Sequence, residues 1–112
     1  MIIYKILRAS EWAILRDDGI SMGAPIDIDD GYIHFSTAQT LEETATKHFS
    51  GESNLMLLAY NDADFPKTLI YEKSRDNLLF PHLYDKLRLD DALWIKPLPL
   101  VDNIHLFPED II

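Results

Sequence analysis

The nine residues Asp29-Asp30-Gly31-Tyr32-Ile33-His34-Phe35-Ser36-Thr37 decide how the rest of the chain is read. Asp30-Gly31 signals a turn, because glycine takes the positive φ that such turns demand. From Tyr32 to Ser36 the residues alternate: Tyr32, His34 and Ser36 fall on one face of a short strand, Ile33 and Phe35 on the other. Ile33 and Phe35 are therefore expected in the core. The opposite face lines up a phenol, an imidazole and a hydroxyl. Thr37 is the predicted N-cap of a following helix. A polar strand face beside the free N–H groups of a new helix can hold an anion, so the functional site is expected here.

On the N-terminal side, residues 20–30 carry Gly23, Pro25 and three aspartates and read as a loop. Asp27, Asp29 and Asp30 lack the later Glu of an EF-hand, so no metal site is predicted. Ser10 is the expected N-cap of a helix through Asp17, with Trp12 and Leu15 facing inward and Gly19 ending it. Ile2 to Leu7 is apolar on both faces, as in a central strand covered on two sides. Lys5 is its odd residue: it either snorkels to the sheet edge or points into a cleft.

On the C-terminal side, Ala38 to Phe49 reads as an amphipathic helix with Ala38, Leu41, Ala45 and Phe49 as its inner stripe. His48 borders that stripe as a packing residue, and Gly51 sits where a C-terminal cap belongs. Asn54 to Tyr60 is a strongly apolar strand, and Thr68 to Glu72 is another. Glu72 at its end is either a solvated terminus or a catalytic carboxylate. Phe80-Pro81-His82-Leu83-Tyr84 reads as an ordered, proline-fixed loop, and Leu89 to Ala92 as a single turn. Pro97 and Pro99 confine the last strand, Leu93 to Leu98, to a sheet edge or a strand end. A tail through Phe107-Pro108-Glu109 follows. Five short strands and two helices in mixed order predict one α+β domain over residues 1–112, built on a small mixed sheet.

Composition narrows the function classes. Of 112 residues 47% are hydrophobic and 26% charged, as in a globular protein. The absence of cysteine excludes disulfides, thiolate catalysis and Cys-based zinc sites. Ten basic against 19 acidic side chains give a net charge of −9, which argues against a nucleic-acid polymer as partner. Lys73, Arg75, Lys86 and Arg88 cluster locally, diluted by Glu72, Asp76 and Asp85. That cluster suits a small phosphorylated ligand, or is solvated surface charge. With no long apolar run and no signal-peptide layout, a soluble cytoplasmic protein without a membrane partner is expected.

Ile3-Tyr4-Lys5-Ile6, Asp30 to Thr37, Phe80 to Tyr84, and Leu93-Trp94 with Pro97-Leu98-Pro99-Leu100 together resemble the bacterial family of domain of unknown function 952, in the same order and over nearly the whole chain. That resemblance implies a small α+β fold similar to the ADP-ribosyltransferases, which bind NAD in a cleft between two sheets. Gly31-Tyr32-Ile33-His34-Phe35-Ser36 with Thr37 is similar to the motif that lines the nicotinamide side in those enzymes. Lys5 stands near the first-motif position, where His or Arg is usual, and Glu72 near the third, acidic one. RNA 2′-phosphotransferases share the fold and use histidines, which His34 and His82 would imitate. The resemblance thus implies His34, Glu72 and His82 as catalytic residues and Lys5, Tyr32, Ser36 and Thr37 as nucleotide-binding ones. NAD is the implied substrate, within a transferase or hydrolase. Two alternatives stand beside it: a nucleotide-binding module that has lost the chemistry, as the departure at Lys5 suggests, and a protein-interaction domain.

Overall fold

In the computed structural model, which describes residues 1–74 and 77–111, the chain begins with β1 (Ile2–Leu7), α1 (Ala9–Asp18), β2 (Ile20–Ser21), α2 (Pro25–Asp30), β3 (Ile33–His34) and α3 (Leu41–His48). It continues with β4 (Leu55–Asn61), β5 (Leu69–Lys73), β6 (Leu79–Leu83), β7 (Leu87–Arg88), β8 (Trp94–Leu98), β9 (Leu100–Val101) and β10 (Ile104–His105). Two antiparallel three-stranded sheets, ordered β1-β4-β8 and β3-β6-β5, carry the fold, with two-stranded β2-β7 and β9-β10 pairs beside them. This is a small α+β domain with few helices. Among the described residues, no helix is long and apolar enough to cross a membrane.

The first sheet has a core on each side, as its doubly apolar strands require. Ile3 and Leu7 of β1 join Leu58 and Tyr60 of β4 with Leu15, Ile33, Phe35 and Leu83 in one core. Tyr4 and Ile6 join Leu57, Ala59, Leu41, Ala45 and Leu98 in the other. The central position belongs to β4 and not, as expected, to β1. Beyond β4, the β1 backbone also bridges to the residues just after β3: Tyr4 N–H donates to Ser36 O and Ser36 N–H to Tyr4 O, both at 2.8 Å. Ile33 and Phe35 are each 2% exposed, as the alternation predicts.

The segment expected to be a proline-fixed loop is β6, the middle strand of the second sheet. Pro81 is tolerated because its missing N–H falls just past the end of the short β3 ladder. Ile33 pairs with Leu83 and His34 with His82. Next, Phe35 N–H donates to Pro81 O at 3.0 Å, and Pro81 has no N–H to return.

Four other expectations change. Residues 25–30 are helical and not a loop: Pro25 begins α2, where a missing N–H costs nothing, and Gly31 ends it at φ 83°. Thr37 does not cap α3, which starts at Leu41; its N–H donates to Thr40 Oγ1 at 3.0 Å in a preceding turn. At α1 the N-cap is Arg8 and not Ser10, because Glu11 Oε1 accepts Arg8 N–H at 2.9 Å. His48 is exposed rather than packed. The tail also holds the β9–β10 hairpin, turned by Asp102 and Asn103 at φ 51° and 66°, the positive values a two-residue turn uses. Gly19 ends α1 at φ 77° as predicted, with Leu15 buried and Trp12 packed on the core.

Candidate functional site

The site grows from a cross-strand pair. Because Ile33 and Leu83 point to the core, their neighbours His34 and His82 emerge opposite each other on the other face. Their ring centroids are 5.4 Å apart. The ring of Tyr32 stacks on His82, with centroids 4.1 Å apart and planes 16° apart, and also lies 4.6 Å from His34. Tyr84 closes on Tyr32 at 5.2 Å.

Each imidazole is held by a carboxylate. Asp27 Oδ1 lies 2.6 Å from His34 Nδ1, and Glu72 Oε1 lies 2.8 Å from His82 Nδ1. A carboxylate only accepts, so both Nδ1 atoms are the protonated ones. Glu72 also accepts from Tyr84 Oη at 2.6 Å. These bonds, that from Tyr84 first and then that from His82, hold the Glu72 carboxyl below its usual range. The same bond to Glu72 pushes the Tyr84 phenol up to about 12.

Asp27 is the hub, and sequence reasoning missed its role. Its side chain is fully buried, yet it accepts from Lys5 Nζ at 2.7 Å, Ala24 N–H at 2.8 Å, His34 N–H at 3.1 Å and the His34 ring. Burial alone would push its carboxyl up. The His34 ring, the Lys5 charge and its hydrogen bond, and the His34 N–H outweigh burial and hold the carboxyl at about 2. Burial pulls the Lys5 ammonium below its ordinary value, against the opposing pull of Asp27. Hydropathy points the wrong way in α2, since Ile26 and Ile28 are 56% and 60% exposed while Asp27 is buried. The usable signal was Lys5, because a lysine within a doubly covered strand needs a buried counter-charge.

A cleft of about 590 Å³ opens where the two sheets part. Lys5, His34, Ser36 and His82 line it, together with Asp27 and Arg8. Lys5 therefore points inward and does not snorkel, but its ammonium is spent on Asp27 and, at 2.9 Å, on His34 O. Ser36 Oγ donates to Thr44 Oγ1 at 3.1 Å. Tyr32 covers His82, and Glu72 holds His82 from its Nδ1 side; neither is part of the cleft wall. Thr37 lies apart from it, in the turn before α3. The structure thus unites four of the seven residues singled out and sets Tyr32 and Glu72 directly behind them. Of the basic cluster, Arg75 lies outside the described residues, as does its neighbour Asp76; Lys73, Lys86 and Arg88 are exposed and away from the cleft. Among the described residues no group of His and carboxylates has the arrangement of a metal site.

What the fold and site define is a small α+β domain with two carboxylate-held histidines in one cleft. The family model for a protein of unknown function, DUF952, matches residues 6–95, and the chain belongs to that family. The crystal structure of protein CC0527 from Caulobacter crescentus is 36% identical, covers 95% of this chain and 94% of its own, and superposes with a TM-score of 0.90. A solution NMR structure of the same protein matches at 36% identity, 93% and 90% coverage and a TM-score of 0.82. No curated protein matches the chain.

Proposed function

We propose that the chain binds NAD or another ADP-ribose-type nucleotide in its cleft, on a fold of ADP-ribosyltransferase type, and transfers or hydrolyses at the ribose carbon that carries nicotinamide. The observation that carries this reading is the pair of imidazoles 5.4 Å apart, each with Nδ1 held by a carboxylate. A histidine so held presents Nε2 as a base for water or an acceptor hydroxyl. The reacting ribose passes through a cationic, oxocarbenium-like state, which nearby carboxylates favour. The cleft, at about 590 Å³, falls within the roughly 300–1,000 Å³ of small-molecule sites. Its position between two sheets supports the same reading.

The second reading, a nucleotide-binding module without chemistry, is favoured by Lys5, whose ammonium is already engaged by Asp27 and His34 O. One experiment separates the two. NAD and ADP-ribose are titrated into isotope-labelled protein, with nicotinamide release followed in parallel. Both readings expect shifts at His34 and His82, and NAD at a hundred times its Kd to stabilise the fold by about 2.7 kcal/mol. Only the enzyme releases nicotinamide, and Glu72→Gln should stop release while sparing binding. Absence of shifts with either nucleotide would remove both readings and leave protein interaction.

A further inference from the structure

Among the described residues, one lysine and one arginine line the cleft, and they are held in different ways. Lys5 is buried with Asp27, and opening a buried ion pair is costly. Arg8 is 41% exposed, and it donates from Nε to Glu52 Oε1 at 2.8 Å and from Nη2 to Glu52 Oε2 at 3.0 Å. Nη2 also reaches His48 O at 3.3 Å. Glu52 is 38% exposed and stands outside the cleft wall. An ion pair this exposed contributes little, so another anion can replace its carboxylate. Each partner also keeps its place without the other. The Arg8 guanidinium lies over the ring of Phe49, 4.6 Å from its centroid, and Phe49 lines the same cleft. Glu52 is tied down by its backbone: its N–H donates to Phe49 O at 2.9 Å, and its O accepts from His105 Nε2 at 2.8 Å. The Glu52 side chain can therefore swing away while its backbone stays.

We infer that Arg8 is the anion seat of the cleft and that the Glu52 carboxylate competes for it with the diphosphate of the nucleotide. The inference rests on the nucleotide reading above and deepens it. A diphosphate in this cleft needs a cation, and the Lys5 ammonium is engaged by Asp27 and His34 O. Two phosphate oxygens fit the planar edge of the guanidinium in the same forked manner as the two oxygens of Glu52, and they carry more charge. The group that opposes an anion here is Glu11, also in the cleft wall. Its Oε1 accepts Arg8 N–H at 2.9 Å, and its Oε2 stands 3.7 Å from Arg8 Nη1. Glu11 opposes either occupant of the seat. Glu52 thus acts as a built-in competitor that sets how tightly the anionic ligand is held.

The test is a titration of ADP-ribose into isotope-labelled wild type, Glu52→Gln, Arg8→Gln and Glu109→Gln, each first checked for a folded amide spectrum. Kd should fall about threefold in Glu52→Gln, because the competitor for the guanidinium has lost its charge. It should rise at least about tenfold in Arg8→Gln, which gives up a forked, charge-assisted contact. Glu109 is exposed and away from the cleft wall, so Glu109→Gln removes an equal charge and should leave Kd unchanged. Were Glu52 merely structural, its substitution would weaken binding or leave it as it was. Binding to Glu52→Gln no tighter than to wild type, an equal gain in Glu109→Gln, or an unchanged Kd in folded Arg8→Gln would each overturn the inference and leave the nucleotide reading standing. If Arg8→Gln does not fold, the comparison of Glu52→Gln with Glu109→Gln still decides. ADP-ribose that shifts neither the His34 nor the His82 signals of wild type would remove the nucleotide reading and this inference with it.

Discussion

Removing Asp27 should destabilise the domain far more than removing its ion-pair partner Lys5. Both side chains are buried, but their remaining partners differ. Asp27→Ala leaves the Lys5 ammonium with one of its two hydrogen bonds, that to His34 O, and strips acceptors from Ala24 N–H and His34 N–H. Deleting one member of a buried pair costs about 3 to 5 kcal/mol, and the stranded N–H groups bring the expected loss to about 4 kcal/mol or more. Lys5→Met leaves Asp27 with three donors, from Ala24 and twice from His34. The methionine also refills most of the lysine stem, so the loss should be about 1 to 3 kcal/mol. Urea unfolding at pH 7, compared at unchanged slope, reads both values. The double mutant should cost less than the sum, because the stranded ammonium is gone. If Lys5→Met costs as much as Asp27→Ala, Asp27 is not the hub and the account of the site fails.

Three further outcomes follow from the same geometry. The Asp27 carboxyl is held at about 2 against a reference of 3.8; its folded value is the lower, so its contribution is complete above about pH 5 and is lost as pH falls toward 2. Urea midpoints should drop by the equivalent of about 2 kcal/mol across that window in wild type and much less in Lys5→Met/Asp27→Ala. Phe35→Ala should cost roughly 3 to 5 kcal/mol in thermal or urea unfolding, whereas His34→Gln, which gives up one bond to Asp27 at a half-exposed position, should cost about 1 to 2 kcal/mol and abolish the NMR response to nucleotide. Gly23→Ala should destabilise measurably in the same assay, since its Cβ would stand 2.3 Å from Asp27 Oδ2 at a backbone φ of 92°; an unchanged midpoint would mean that Asp27 is loosely held.

The parts of this fold that were legible in the sequence are those where one local rule had no rival. Alternation at Ile33 and Phe35 placed both in the core, and Gly19 ended α1. Rules that compete locally went astray. Pro81 argued against a strand, yet its missing N–H falls where the β3 ladder has already ended, which only the tertiary partner reveals. Pro25 and the aspartates that signal a loop also suit a six-residue helix with proline at its start. The convergence of His34 and His82 was suggested by the family resemblance, since the strand faces spoke for His34 alone and His82 was read in a loop. Asp27 was not, because its burial depends on a contact to Lys5 across 22 residues of chain and runs against the hydropathy of α2.

The central place of β4 also bears on how the chain reaches its native state. Its two edges are claimed by β1, some fifty residues earlier in the sequence, and by β8, more than thirty residues later, in registers from Ile2↔Asn61 to Leu55↔Leu98. The sheet is therefore assembled almost wholly from distant contacts. Such topologies fold on the scale of milliseconds to seconds instead of microseconds. During synthesis, β4 has one edge open until Leu98 has left the ribosome, and that apolar edge is then a ready template for mispairing. Refolding from dilute and concentrated solution should accordingly diverge, with yield falling as protein concentration rises, even though the finished domain hides β4 between its neighbours.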